Sequence, residues 1–441
     1  MVDGTYRGRP VPIPSRRLSR LAGFGRMSAE VAGRALLDGA RSLGQGERPK
    51  PADLLLTPPN ILRITDELAK MRGAALKLGQ MLSMDAGEIL PPELSELMAR
   101  LRADADFIDA AQLETVMTEN LGSDWRTRFD HFEPRPIAAA SIGQVHRART
   151  VDGRDLAIKV QYPGVTESID SDVDNVMALF RLTGLGPPKA SIAPLISESK
   201  AQLHHEADYI REAANLRRFR SLVPGDGRFV LPEVQDDLST GKVLAMSFVS
   251  GQPIETVGQM SAAVRQDVYV RLVRLALDEI FSFGFAQTDP NFANYLYDPQ
   301  NDTIGLLDFG ATREIPTKMM ECYRRFLRAG LDGNRKELKA TTMELGVYRP
   351  ETQMHHRNMI DRVTAHLFGA IRRDRMFDFA NDALMRELRS IGTEIAMDRS
   401  FAEVPPVELM YLQRKMAGLF FLGRRFRVPI PAREILEEYA A

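Results

Sequence analysis

The segment Gln287-Thr288-Asp289-Pro290-Asn291-Phe292-Ala293-Asn294 sets a carboxylate, Asp289, five residues before an amide, Asn294. It runs into an apolar strand from Tyr295 to Tyr297, a polar turn from Asp298 to Asp302, a second strand from Thr303 to Leu307, and then Asp308-Phe309-Gly310. A hairpin of that length returns Asp308 beside Asn294. An amide oxygen and a carboxylate so placed are hard donors suited to Mg²⁺ on nucleotide phosphates. Asp289 can then orient or deprotonate a nucleophile.

A second cluster lies upstream. Ala138-Ala139-Ala140-Ser141-Ile142-Gly143-Gln144-Val145-His146 leads into a strand, Asp152-Gly153 makes a two-residue turn, and Asp155 to Val160 forms the partner strand. Ala138, Ala140, Gly143 and Val145 fall in the four slots of the protein-kinase nucleotide loop G-x-G-x-x-G-x-V, and Ala157-Ile158-Lys159 matches the end of V-A-I-K. A phosphate can lie beneath this hairpin, paired with Lys159. The order Asp289, Asn294, Asp308-Phe309-Gly310 is in register with the catalytic and metal-binding segments of the same enzymes. Two of the three loop glycines are alanines here.

The elements that must hold these residues can be read around them. Ala193 to Arg220 predicts one long helix carrying Glu206 and Glu212. Six residues apart on a continuous helix, these carboxylates diverge by about 240°. One can pair with Lys159 and the other with Lys77. Lys77 lies on a helix expected from Asn60, as its cap, to about Met84. In Lys77-Leu78-Gly79-Gln80, the lysine and Gln80 share one face, while Ala74, Ala75 and Gly79 leave the helix thin enough for close approach to another surface. Helical tracts follow from Glu93 to Arg102 and from Ala110 to Leu121. Val243 to Val249 reads as a buried strand leading to Gly251, where backbone groups of Ser247 and Val249 can read an adenine edge. After Gly310 the apolar periodicity is helical over 317–331, 356–371, 379–396 and 407–422, as it is over 265–283 upstream. His204-His205 and His355-His356 are adjacent pairs whose rings should point apart on a helix, which disfavours metal ligation.

Composition narrows the class. The 441 residues allow roughly two or three cores. Near-average apolar and charged fractions exclude a disordered or fibrous chain. A net charge of −1 gives no basis for nucleic-acid binding. One cysteine, Cys322, excludes an internal disulfide and a thiolate zinc cluster, and suits a reducing compartment. No stretch predicts a membrane-spanning helix, and the start lacks a signal-peptide pattern. The neutrality is uneven: residues 1–50 carry ten Lys+Arg against four acids, +6, which leaves −7 for the remainder. Residues 11–43, with Leu18, Leu21, Phe24, Val31, Leu36 and Leu37 among the basic positions, can lie on an anionic membrane, dock as an arm on the main body, or serve as a transit peptide.

Taken together, the chain resembles the UbiB family of atypical kinases, the bacterial and mitochondrial coenzyme Q biosynthesis proteins, most closely the mitochondrial-type branch. Carrying the likeness are Lys77-Leu78-Gly79-Gln80, Ala138-Ala139-Ala140-Ser141, the stretch from Ala157 to Val165, Glu206-Ala207-Asp208-Tyr209 with Glu212, Gln287 to Asn291 with Asn294, and Leu307 to Glu314. The resemblance implies an α+β, bilobal protein-kinase-like fold with an N-terminal helical extension covering the active site. Its divisions would be a basic arm (1–57), the K-x-G-Q extension (58–130), an N-lobe (131–250) and a helical C-lobe (251–441).

It further implies that Lys77, Gln80 and Glu206 belong to an inhibitory cover and that Lys159 and Glu212 form the catalytic ion pair. Ala138, Ala139, Ala140, Ser141, Gly143 and Val145 would cradle ATP, Asn294 and Asp308 would bind Mg²⁺, and Asp289 would be the active-site carboxylate. The implied activity is a Mg²⁺-dependent ATPase supporting ubiquinone synthesis by acting on quinone-precursor lipids or on the other biosynthesis proteins. The alternatives are a phosphotransferase and a nucleotide-gated lipid-binding scaffold. A homodimer is compatible with the resemblance. The implied location is peripheral to the inner membrane on the cytoplasmic side in a bacterium, or on the matrix side of mitochondria. Two departures stand out: the spanning helices of many bacterial relatives are missing, and no Ala-Pro-Glu segment follows Gly310.

Overall fold

The computed structural model of the chain describes residues 9–12, 17–45, 107–182, 193–289, 291–398 and 405–441, with 54, 57, 60, 63, 64, 68, 71, 73–75, 77 and 78. Gln80 and the tract expected from Glu93 to Arg102 lie outside these residues. Two compact units form, Met1–Ala214 with Pro232–Phe248, and Asn215–Leu231 with Val249–Ala441.

The first unit is built on an antiparallel sheet of β1 (Phe129–Phe132), β2 (Ala138–Ala139), β3 (Gly143–Thr150), β4 (Asp155–Gln161) and β5 (Val243–Ser247), in the order β1-β3-β4-β5 with β2 on β3. Strand β4 is paired along both edges, and residues on both of its faces are buried. Leu156, Ile158 and Val160 bury on one side, and Lys159 and Gln161 on the other. Gly153 turns the β3–β4 hairpin at φ 91°, a conformation open to glycine at little cost. Besides the helical residues around Lys77, the described helices wholly or partly in this unit include α1 (Arg17–Gly44), α2 (Ala110–Leu121), α3 (Val165–Leu182), α4 (Ala193–Glu206) and α5 (Tyr209–Leu222). Asp109 caps α2 by accepting the Gln112 N–H at 2.8 Å. Helix α1 packs on α3 and buries Met27 and Val31, leaving Leu36 and Leu37 exposed.

Two helical expectations are corrected. The single helix expected from Ala193 to Arg220 is broken after Glu206. Asp208 restarts it, its carboxylate accepting the Arg211 N–H at 2.9 Å, while Gln161 Nε2 donates to the Ala207 carbonyl at 2.8 Å. A capping aspartate and a side chain from β4 thus satisfy the groups that a helix break leaves orphaned. Asn60 does not cap its helix from outside: it lies within a helical turn, with its N–H on the Thr57 carbonyl.

In the second unit, β7 (Tyr295–Asp298) and β8 (Thr303–Leu306) form the expected hairpin, with Tyr295 opposite Leu306 and Asp298 opposite Thr303. Strand β6 (Phe285–Gln287) pairs with β9 (Thr312–Glu314). Short strands at Phe229–Val230 and Gln252–Pro253 flank the β7–β8 hairpin and Phe377–Asp378 pairs with Pro429–Ile430, and the principal helices are α6 (Ala262–Phe281), α7 (Thr317–Asp332), α8 (Arg335–Glu344), α9 (Met354–Arg373), α10 (Asp382–Met397), α11 (Val407–Phe426) and α12 (Ala432–Ala440). Because α7 already begins at Thr317, the stretch after Gly310 is too short for a kinase-length activation loop. The expectation that adjacent histidines diverge fails at the start of α9, where His355 and His356 both reach Asp398.

One buried polar chain in the first unit gives a pH dependence. Gln144 Oε1 accepts the Ile108 N–H at 2.9 Å, so its Nε2 donates to His146 Nε2 at 2.8 Å. The imidazole proton is thereby placed on Nδ1, facing the Glu133 carbonyl at 2.8 Å. Burial pushes the His146 pKa down to about 4. The unfolded chain therefore binds more protons than the native one between pH ~6.5 and ~4. Stability from this group is complete above about 6.5 and is lost as pH falls toward about 4, on the order of 3 kcal/mol. Urea unfolding across that range should show the loss in the wild type and a shallower slope in His146→Gln; equal slopes would refute it.

Candidate active site

In the first unit, the small-residue loop is itself a tight hairpin. Ala138 pairs with Val145, Ala139 with Gln144, and the Ala140 N–H donates to the Gly143 carbonyl at 2.9 Å. Ser141 and Ile142 form its tip. Gly143 is required by crowding: an added Cβ would lie 2.5 Å from the Val160 carbonyl oxygen and 2.7 Å from the Tyr209 hydroxyl. Register places Val145 opposite Lys159, directly under this loop, and Lys159 opposite Leu244 of β5.

Lys159 Nζ lies 2.8 Å from both carboxylate oxygens of Glu212 on α5, and 5.1 Å from the centre of the Tyr209 ring. Lys77 Nζ lies 2.5 Å from Glu206 at the end of α4. The two carboxylates thus serve different lysines. All four side chains are buried, Lys77 at 1% exposure. Attraction at such short range offsets the cost of desolvating each charge, and removing one partner would leave the other uncompensated. The helix bearing Lys77 also packs on the loop: a Cβ on Gly73 would meet the Ser141 carbonyl at 2.6 Å. The close approach is made at Gly73, which sequence reasoning had not singled out, with Ala74 and Ala75 buried beside it; Gly79 lies outside the described residues. Ser247 spends its N–H on the Glu233 carbonyl at 2.8 Å, so that donor is not available to an adenine edge. Val249 falls in the other unit, buried against Gly305.

In the second unit, two ties frame the acidic residues. Thr288 donates from its N–H and its hydroxyl to the Ala311 carbonyl, at 3.1 and 2.6 Å, and the Leu307 N–H donates to the Asn294 carbonyl at 3.0 Å. Segments 288–294 and 307–311 therefore run side by side, with Asp289 and Asp308 inside the frame. Phe309 anchors it, buried against Phe219 at 5.0 Å between ring centres, and Asn215 Nδ2 donates to the Phe309 carbonyl at 3.1 Å. Asp308 accepts the Gly310 N–H at 3.0 Å. The Asn294 side-chain amide makes no hydrogen bond among the described residues, although its nitrogen is buried. The Asn294 side-chain oxygen and the Asp308 carboxylate, on neighbouring segments joined by the Leu307–Asn294 backbone bond, are oxygen donors of the type a hard divalent cation such as Mg²⁺ takes.

Sequence reasoning missed what holds this frame. Glu279 of α6 accepts the Gln287 N–H at 2.9 Å, and Lys415 of α11 donates to the Gln287 carbonyl at 2.9 Å; the two lie 2.5 Å apart. Both backbone groups of the residue two before Asp289 are thus gripped by one buried ion pair. Burial disfavours the Lys415 ammonium, but the Glu279 carboxylate and the Tyr295 hydroxyl outweigh it and hold the lysine's pKa up. No local signal singles them out: Asp278 adjoins Glu279 and Arg414 adjoins Lys415, on helices that carry several other charged residues. Lys415→Met should cost about 3–5 kcal/mol by stranding Glu279. The double variant Lys415→Met/Glu279→Gln should recover part of that loss in thermal denaturation; a single variant as stable as the wild type would show that the pair bears no such burden.

Comparisons with known proteins give the family. Residues 100–342 match the ABC1 atypical kinase-like domain. The chain is 34% identical to the atypical kinase COQ8B, mitochondrial, of Danio rerio over 99% of its length and 70% of the relative's. It is 34% identical to the atypical kinase COQ8, mitochondrial, of Saccharomyces cerevisiae over 97% of its length and 86% of the relative's. Among solved structures, the complex of Rv3197 with erythromycin from Mycobacterium tuberculosis superposes with a TM-score of 0.61 at 26% identity, covering 88% of this chain and 96% of that one. With a domain match over more than half its length and near full-length relatives above 30% identity, this chain belongs to the ABC1 (UbiB) family of kinase-like enzymes, the atypical kinases.

Proposed function

We propose that the protein is a Mg²⁺-dependent ATPase of atypical kinase fold that supports coenzyme Q biosynthesis by acting on lipid precursors at a membrane surface. The observation that carries the nucleotide reading is the frame in which the Leu307 N–H closes on the Asn294 carbonyl, which brings together the chain segments bearing Asn294 and Asp308. Asn294 and Asp308 would hold Mg²⁺, which when bound offsets the charge of the phosphates. Lys159, oriented by Glu212, would pair with those phosphates beneath the 138–145 hairpin, and Asp289 would orient the attacking water and accept its proton.

Hydrolysis is favoured over phosphotransfer to a protein by the packing of the Lys77 helix on Ser141 and by the early start of α7. In this reading the extension 58–130 is the inhibitory cover on an N-lobe (131–250), and 251–441 is the C-lobe. The basic arm 1–57 makes the membrane contact: Met27 and Val31 of α1 bury inward, while Leu36 and Leu37 stand 75% and 66% exposed in a stretch carrying Arg34 and Arg41. Among the described residues, no helix is long and apolar enough to cross a membrane. The names of the curated relatives support the coenzyme Q assignment.

ATP hydrolysis should rise when liposomes containing quinone precursors are added, and should fall about 10²–10³-fold in Asp308→Asn, the scale at which removing a preorganised electrostatic group slows catalysis. Labelled product other than free phosphate would establish a phosphotransferase instead, and full cellular function of Asp308→Asn would establish a scaffold. Ala140→Gly should alter nucleotide affinity by freeing the loop backbone; unchanged affinity would mean that the alanine does not tune ATP binding.

A further inference from the structure

Helices α9 and α10 pack antiparallel, and ion pairs mark the seam. His366 Nδ1 meets Glu387 at 2.8 Å and Arg362 meets Glu394 at 3.0 Å, each a single contact between half-exposed or exposed side chains. At the end of the seam the pattern changes. His355 and His356, in the first turn of α9, both direct Nε2 at one oxygen, Oδ2 of Asp398, which follows the last residue of α10. The distances are 3.0 and 2.7 Å, and the two imidazole rings lie 3.9 Å apart, tilted by 48°. His356 is 2% exposed, whereas His355 reaches solvent. The donor atoms of all three residues lie within 4.8 Å of one another.

We propose that His355, His356 and Asp398 form a binding site for a divalent transition metal of the zinc class. Two imidazole nitrogens and one carboxylate oxygen are a borderline donor set, which selects Zn²⁺ and its neighbours over Mg²⁺. A tetrahedral ion with bonds of ~2.0–2.1 Å holds its donors roughly 3.3 Å apart, so the present contacts need open by only about half an ångström. The ligands sit on two rigid helices whose register the Arg362–Glu394 and His366–Glu387 pairs fix, and the carboxylate lies at a helix C-terminus, where the backbone carbonyls favour a cation. Exposure of His355 leaves a fourth position to water. The site is distinct in chemistry from the Asn294 and Asp308 oxygen donors, and it would fasten the start of α9 to the end of α10.

The test uses untagged, full-length protein stripped with a chelator and titrated with Co²⁺ as the spectroscopic probe. One equivalent should bind and give the visible bands of a tetrahedral site, and excess Mg²⁺ should not displace it. His355→Ala, at the exposed position where folding is safest, and Asp398→Asn should each weaken binding by at least about 100-fold, the upper range for losing even a supporting contact to a metal site. Zn²⁺ should raise the melting temperature of the wild type and leave that of His355→Ala unchanged. Absence of stoichiometric Co²⁺ binding by the wild type would overturn the proposal, as would retention of the same bands in both variants.

Discussion

Burying a lysine is the constraint on which the first unit is organised. A desolvated ammonium without a partner costs several kcal/mol, and here two of them, Lys77 and Lys159, are enclosed within one unit. Each needs a carboxylate in a fixed place, and both carboxylates come from one stretch of chain. A continuous helix would carry Glu206 and Glu212 at a fixed relative rotation. The break at Ala207-Asp208 lets α4 present one and α5 the other, with Gln161 of β4 bonded to the carbonyl at the break. Strand β4 therefore supplies both the lysine that meets Glu212 and the amide that fixes where α5 begins. The hairpin above it is held by the same elements, since Gly143 leaves no room for a side chain between Val160 and Tyr209.

The second unit solves a related problem with a buried pair of its own. Glu279 and Lys415 come from helices far apart in sequence and converge on the backbone of Gln287. The loop carrying Asp289 thus leaves a strand whose last residue cannot shift without breaking an enclosed ion pair. Thr288, Asn294 and Phe309 then tie the loop to the segment bearing Asp308. Positioning in both units rests on charge buried close to the backbone, with apolar packing filling the remaining volume.

Much of this was legible in the sequence because it rests on local rules. The Asp152-Gly153 turn, the hairpin that brings Asp308 back to Asn294, the helix from Ala110 to Leu121 and the helical C-terminal region follow from turn chemistry and periodicity, and the structure has them at or within a few residues of the expected bounds. The assignment of Glu206 and Glu212 to separate lysines was also legible, although through two helices rather than one. What could not be read depends on three-dimensional convergence. Nothing local marks Glu279 and Lys415 as partners. The close approach at Gly73 depends on where Ser141 lies. His355 and His356 diverge on an ideal helix, and only the long swing of both side chains toward the end of α10 brings them together. The break after Glu206 has a weak local sign, an aspartate able to cap, which the run of helix-forming residues on either side outweighs.

The pairing of Lys77 with Glu206 also bears on how the chain is made. The lysine leaves the ribosome first, and its partner follows about 130 residues later, on the order of ten seconds at ~5–20 residues per second. Until then the helix carrying Lys77 has no carboxylate to bury against, although the loop bearing Ser141 is made about halfway through that interval. The extension is the earliest of these segments to be synthesised and among the last able to dock, so the nascent protein must carry an undocked, partly apolar helix through most of the synthesis of its first unit.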